Sequence, residues 1–230
     1  MSLAARLFAL IAFTLLLVAG GELINGLNLR HNRLAEVSED TVQLARIAEL
    51  DMGRILEGSR QLLATLAKLP ASAGWDARAC SIVEATASSD FEYDHIVAVD
   101  RSGSILCSSS GISVVGTQAA DPVLIDRVVA VAGFAVGTHG VGKTSGNEVI
   151  RVGYPVVDEA GTVTGVVFAG INVTWLNTAI NQWKLGEDVS IHITDRNGTL
   201  IAAYPDPGSV GHPIAGEFKP FLTAAGAGIT

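Results

Sequence analysis

VDRSGSIL (residues 99–106) and, 95 positions further on, TDRNGTLI (residues 194–201) are two versions of one design. Working outward, the first becomes HIVAVD-RSG-SILCSS, a β-branched strand, a four-residue turn over Asp100–Gly103 and a second strand. The second becomes VSIHITD-RNG-TLIAAY, with its turn over Asp195–Gly198. A third unit between them, VIRVGYPVVD-EAG-TVTGVVFAGINV, turns over Asp158–Gly161. Each turn opens with an Asp, whose carboxylate can accept from nearby backbone N–H groups. Each closes on a Gly, which tolerates positive φ. The match between the first and third units predicts two successive modules of one antiparallel architecture.

Helical signals fill the gaps. From Arg33 to Pro70 apolar residues recur at Leu34, Val37, Leu44, Ile47, Leu50, Ile55, Leu62 and Leu66, the period of one amphipathic helix, stopped by Pro70. Such a helix would be about 50 Å long, more than a small domain needs, and suits a stalk along which two copies of the chain could pair. DARACSIVEATAS (76–88) predicts a shorter helix with Asp76 as its N-cap. A crossover helix is expected over Pro122–Ala132 and a connecting helix over 174–186. After YPDPGSVGHPI another helical stretch is expected around Phe218–Ala225, with no second return hairpin before Thr230, so the repeat reads as incomplete.

The N-terminus carries LFALIAFTLLLVAGG, uncharged from Leu7 to Gly21. With its flanks it approaches the roughly 20 residues of a membrane crossing. It reads either as an uncleaved anchor or as a leader cut near Gly20, where small residues suit a peptidase. Either carries the remainder out of the cytosol. An exported chain with two cysteines, Cys80 and Cys107, usually pairs them; two buried thiols are the alternative. The net charge of −8 offers no clustered cationic face to nucleic acid.

GTHGVGKTSG (137–146) formally contains the phosphate-loop pattern GxxxxGK[ST]. That loop works between a buried strand and a helix whose N–H groups cradle the phosphates. Here AVAGFAVG (130–137) supplies the strand, but SGNEVIRVGYPVV follows, and it reads as another strand. The segment is therefore expected to be a hairpin connection, with Lys143 in solvent or at the mouth of a pocket. His95, His139, His192 and His212 form no HxxxH or HExxH, neither Cys has a CxxC neighbour, and CSSSG lacks a GxSxG elbow. No enzyme, metal site or cofactor is expected in the residues present. Asn172 and Asn197 match the glycosylation pattern only formally.

Taken in order, a membrane segment, a long helix, YDHIVAVDRSGSILCSS, FAVGTHGVGKTSGNEVIRVGYPVVDEAGTVTGVVFAGINVTWL and VSIHITDRNGTLIAAYPDPGSVGHPI resemble the double Cache family of extracytoplasmic bacterial sensor domains. The resemblance implies an α+β fold: an N-terminal membrane helix, a long stalk helix and tandem PAS-like antiparallel-sheet modules, the second incomplete. The implied divisions are an anchor over 1–29, a stalk over 30–70, a membrane-distal module over 71–175, and a linker helix with a partial second module over 176–230. It further implies an uncleaved anchor in the inner membrane, a Cys80–Cys107 disulfide, a homodimer through the long helix, and a kinase, diguanylate cyclase or chemoreceptor output beyond Thr230.

Members of that family commonly bind small metabolites in the distal module. Those that bind amino acids use an aromatic residue and an Arg near the crossover helix, and an Asp in the last strand. This sequence has Pro122, Leu124 and Gly170 at the corresponding positions, so that clamp is absent. An anionic metabolite could instead be met by Arg151, His139 or Lys143. Tyr93, Tyr154 and Asn172 complete the candidate ligand-binding set.

Overall fold

The computed structural model describes residues 46–69, 74–88, 92–111, 114–119, 121–143, 145–182 and 189–216. The chain divides into two compact units, Met1–Arg54 and Ile55–Thr230. In the first, residues 46–54 are helical. The expected anchor, the start of the stalk helix and the helix around Phe218–Ala225 lie outside the described residues. Among those described, no helix is long and apolar enough to cross a membrane.

The second unit opens with helix α1 (55–66). Helix α2 (Ala77–Ser88) follows, capped by Asp76 Oδ1, which accepts from Ala79 N at 2.8 Å. Five strands then form one antiparallel sheet in the order β2-β1-β5-β4-β3: β1 (Tyr93–Asp100), β2 (Ile105–Ser108), β3 (Ala135–Val141), β4 (Glu148–Val157) and β5 (Val163–Asn172). Helix α3 (Pro122–Val131) crosses between β2 and β3. Asp121 caps it, with Oδ1 accepting from Leu124 N at 2.9 Å, and Pro122 sits where no helical N–H is needed.

Strand alternation sends successive side chains to opposite faces. On one face Ile96, Ala98, Val152, Val156, Val167, Ala169 and Ile171 pack with Leu63, Leu66 and Val83 of α1 and α2. A Cys80–Cys107 disulfide with Cα atoms 5.2 Å apart ties α2 to β2. On the other, Val97, Val99, Val166 and Phe168 pack under Leu124, Ile125 and Val128 of α3. Gly153 lets α3 sit this close, since a Cβ there would fall 2.9 Å from Val128 Cγ2.

All three expected hairpin turns are present, and the carboxylates act as the sequence predicts. Asp100 Oδ1 accepts from Ser102 N and Ser104 N, Asp158 Oδ1 from Ala160 N and Thr162 N, and Asp195 Oδ1 from Asn197 N and Thr199 N. Gly103, Gly161 and Gly198 all have φ between +79° and +87°. The third turn joins β6 (Ile191–Thr194) to β7 (Leu200–Tyr204), a separate two-stranded sheet. Helix α4 (Val173–Asn181) follows β5 directly and is shorter than the expected 174–186; residues 183–188 lie outside the described residues. Asn177 of α4 docks β7: its Oδ1 accepts from Ala203 N at 3.0 Å and its Nδ2 donates to Val173 O and Ile201 O.

One boundary differs from the sequence reading. The strand before the phosphate-loop match was expected over 130–137, but α3 runs to Val131 and β3 begins at Ala135, taking in GTHGV itself. The hairpin connection is therefore only 142–147. The reason is non-local: the glycines that make 137–141 look like a loop leave space for a side chain of β4.

Candidate functional site

That side chain is Arg151. Its residue is 8% exposed, on the face covered by α3. Gly140 lies beneath its guanidinium: a Cβ there would come within 2.5 Å of Nη1. Gly137 opens the adjoining position, where a Cβ would meet Asp121 Oδ2 and Leu124 Cδ2 at 3.3 Å. Nη2 donates to Val141 O at 2.7 Å. Nη1 lies 3.9 Å from Asp121 Oδ2, beyond hydrogen-bonding distance, and Nε is buried with no acceptor. A buried cation thus carries donors that the fold does not use, which is costly unless something else meets them.

Arg151 belongs to a row that crosses three strands. It pairs in register with Gly170 of β5, and Gly170 pairs with His95 of β1. The His95 imidazole lies over Gly170, where a Cβ would fall 2.6 Å from Cε1. The missing side chain at Gly170 thus leaves the space that the His95 ring occupies, while the Arg151 guanidinium leans the other way, over Gly140 of β3. His95 Nδ1 is 2.8 Å from Asp94 Oδ2. A carboxylate can only accept, so Nδ1 carries the proton and the other ring nitrogen, Nε2, stays available.

Asp94 also fastens the β3–β4 connection. Ser145 Oγ donates to Asp94 Oδ2 at 2.6 Å and Asn147 Nδ2 to Oδ1 at 2.7 Å. Burial works against its charge, but the hydrogen bonds from Ser145, His95 and Asn147 outweigh it and hold the carboxyl below the usual Asp value. Within the connection, Gly142 N donates to Asn147 O at 2.8 Å and Gly146 N to Gly142 O at 2.9 Å. Lys143 Nζ reaches Gln118 O at 3.4 Å, linking this turn to the segment before α3.

Of the six residues singled out by sequence, Arg151 and Lys143 come to this side of the sheet. Tyr93 and Tyr154 face α1 on the other side, where Tyr93 Oη lies 3.0 Å from Ser59 Oγ. Asn172 caps α4, its Oδ1 accepting from Trp175 N at 3.1 Å. His139 turns toward the second sheet. Its backbone N donates to Asp195 Oδ2 at 3.0 Å, and its ring Nε2 is buried, unpaired and 3.8 Å from Glu148 Oε2. Asp94, His95 and Asp121 belong to the site without having been singled out. A signal existed for two of them, since Asp94 and His95 are adjacent polar residues at the head of an apolar strand. No group of three or more His, Cys, Asp or Glu residues among those described could hold a metal ion.

Comparison with known proteins agrees with this architecture. The family model described as "Cache domain" matches residues 30–227. Among solved structures, an extracellular ligand-binding receptor from Desulfohalobium retbaense is similar at 19% identity and TM-score 0.62, over 74% of this chain and 32% of that one. The ligand-binding domain of a Pseudomonas aeruginosa amino-acid chemoreceptor, solved with GABA, is 19% identical with TM-score 0.55, covering 71% of this chain and 74% of its own. That of a Pseudomonas fluorescens chemoreceptor, solved with L-serine, is 14% identical with TM-score 0.58, covering 73% and 72%. The chain thus spans about a third of the first and nearly three quarters of the others. No curated protein sequence matches it.

Proposed function

The chain belongs to the Cache domain family, and from that premise we propose that it is the extracytoplasmic sensing input region of a bacterial transmembrane signalling protein. It recognises a small polar metabolite and carries out no chemistry on it. The observation that most supports binding at the α3 face is Arg151, a buried cation whose Nε has no acceptor. Recognition by few, well-placed polar groups on an apolar scaffold is how small-ligand sites usually work.

In this reading residues 1–29 are an uncleaved anchor, the helix over 30–70 is a stalk that pairs with a second copy, and 176–230 begin a second module of the same kind. Ligand binding biases two arrangements of the stalk, and an output domain beyond Thr230, kinase, cyclase or chemoreceptor, reads the difference. The site departs from an amino-acid clamp at Pro122, Leu124 and Gly170, so what the similar chemoreceptor domains were crystallised with does not fix its ligand.

Two measurements test the proposal. A topology reporter fused after Val173 should report the outer side of the membrane; an inner location would overturn it. A thermal-shift screen of polar metabolites on the complete chain in detergent should find at least one that stabilises it saturably. Failure of every class to do so would remove direct sensing.

A further inference from the structure

We propose that Arg127 and Arg196 form a second binding site, separate from that of Arg151, for a doubly charged phosphate group. Arg127 belongs to α3 and Arg196 to the β6–β7 turn, yet they converge on one atom. Arg127 Nη1 donates to Val136 O at 2.8 Å and Arg196 Nη2 to the same oxygen at 3.4 Å. The two nitrogens therefore lie no farther apart than those two bonds laid end to end. Val136 is in β3, the edge strand of the five-stranded sheet, where the pairing with β4 becomes irregular. Three segments remote in sequence thus meet at one carbonyl.

Neither cation is neutralised there. Among the described residues, no carboxylate lies within ion-pairing distance of either guanidinium. The acid beside Arg196, Asp195, is fully committed: Oδ1 accepts from Asn197 N and Thr199 N, and Oδ2 from His139 N. The Val136 carbonyl is neutral, so it satisfies one donor of each arginine and none of their charge. Burial, and after it the charge of Arg127, holds Arg196 below the ordinary arginine value despite the attraction of Asp195. Two like charges brought together without a counter-ion favour an anion that can bridge them. Their remaining N–H donors are open to one: unlike Nε of Arg151, none is both buried and without a partner, and Arg196 is exposed. Each guanidinium is a planar fork that takes two oxygens of an oxyanion. A carboxylate has only two oxygens and fills one fork. A tetrahedral phosphate turns different oxygens to each, and its second charge matches the second cation. Bound there, it would tie α3, β3 and the β6–β7 turn together.

The repeat supplies a matched control. Arg196 follows the turn Asp in TDRNG, and Arg101 holds the same place in VDRSG. Both are exposed, but of the two only Arg196 shares an acceptor with another arginine. The test uses the complete chain in detergent micelles at mildly alkaline pH and constant ionic strength. The probes are inorganic phosphate, glycerol 3-phosphate and, in separate mixed micelles, phosphatidate, with acetate and chloride as singly charged controls. Titration calorimetry gives the affinity, and the 15N–1H resonances of Arg127 Nε and Arg196 Nε report the position. At least one phosphate probe should bind saturably and shift both resonances, and the tightest identifies the source as free ion, soluble ester or lipid headgroup. Arg196→Gln should weaken that binding about tenfold or more, and Arg101→Gln should leave it unchanged. Should the Arg196 variant fail to fold, the two resonances of the unaltered chain still decide. Any of four results would overturn the site: no saturable binding of any phosphate, acetate binding as tightly, equal weakening by the two variants, or either resonance unmoved. None of these outcomes bears on Arg151, so sensing at the α3 face stands or falls separately.

Discussion

Asn177 offers the sharpest test of how the second hairpin is attached. It is 7% exposed, and it supplies the acceptor for the amide of Ala203, which is fully buried. Asn177→Ala leaves that N–H with no acceptor, at about 1–3 kcal/mol. It also removes the donor to Ile201 O and opens a small void, so the loss should total about 2–4 kcal/mol. A domain of this size has only about 5–15 kcal/mol in hand, so the variant should fold but with a clearly lower urea midpoint and an unchanged slope. Amide exchange at Ala203 should accelerate beyond the global change. Asn177→Asp gives an independent sign. Its acceptor to Ala203 survives, but the second oxygen faces the carbonyls of Val173 and Ile201, so burial raises the folded pKa above the unfolded value of about 3.9. Its penalty should be small near pH 3, grow as pH rises past the unfolded value, and level off above the folded one. An Asn177→Ala chain within about 0.5 kcal/mol of the parent, with Ala203 as protected as before, would refute the reasoning.

Gly153→Ala places a methyl 2.9 Å from Val128 Cγ2 and 3.4 Å from Phe168 Cδ1, and should cost about 1–3 kcal/mol by overpacking, seen as a lower Tm; an unchanged Tm would mean that α3 shifts freely. Asp94→Ala removes the anchors of Ser145 and Asn147, so trypsin should cut after Lys143 faster than in the parent at neutral pH. Because the folded Asp94 carboxyl lies below its ordinary value, its contribution should be complete above the unfolded pKa of about 3.9 and be lost only as pH falls through the lower folded value; amide exchange in 142–147 that loosens already between pH 7 and 5 would contradict this. Replacing Cys80 and Cys107 by Ser opens a link of sequence separation 27 and should cost about 3–4 kcal/mol, measured as a reduced urea midpoint.

What could be read from the sequence was local. An Asp that binds N–H groups two and four residues ahead, followed by a Gly at positive φ, needs nothing beyond its own turn, which is why all three hairpins were predictable. The caps of α2 and of the crossover helix are of the same kind. The site was harder, because its logic crosses strands. Arg151 is the one charge within VIRVGYPVV, but the run from Arg151 through Gly153 to Pro155 carries too little contrast to say which face it takes. Gly137 and Gly140 read as loop residues because the guanidinium they accommodate lies on another strand. Asn177 left a trace that could have been used: it interrupts the apolar stripe of Val173, Leu176 and Ile180, and a polar residue there needs partners.

Strand β3 makes the site and the second sheet interdependent. Its Gly140 lies under the Arg151 guanidinium and its Val141 carbonyl accepts from Nη2. The residue before Gly140, His139, gives its backbone N–H to Asp195, whose other oxygen organises the β6–β7 turn. The ladder to β4 is irregular between Val136 and His139, so this stretch of β3 is the least constrained by regular pairing. A group that draws Arg151 away from Val141 acts on β3 within two residues of the bond that fixes the β6–β7 turn. The two ends cannot move independently, because they share one backbone.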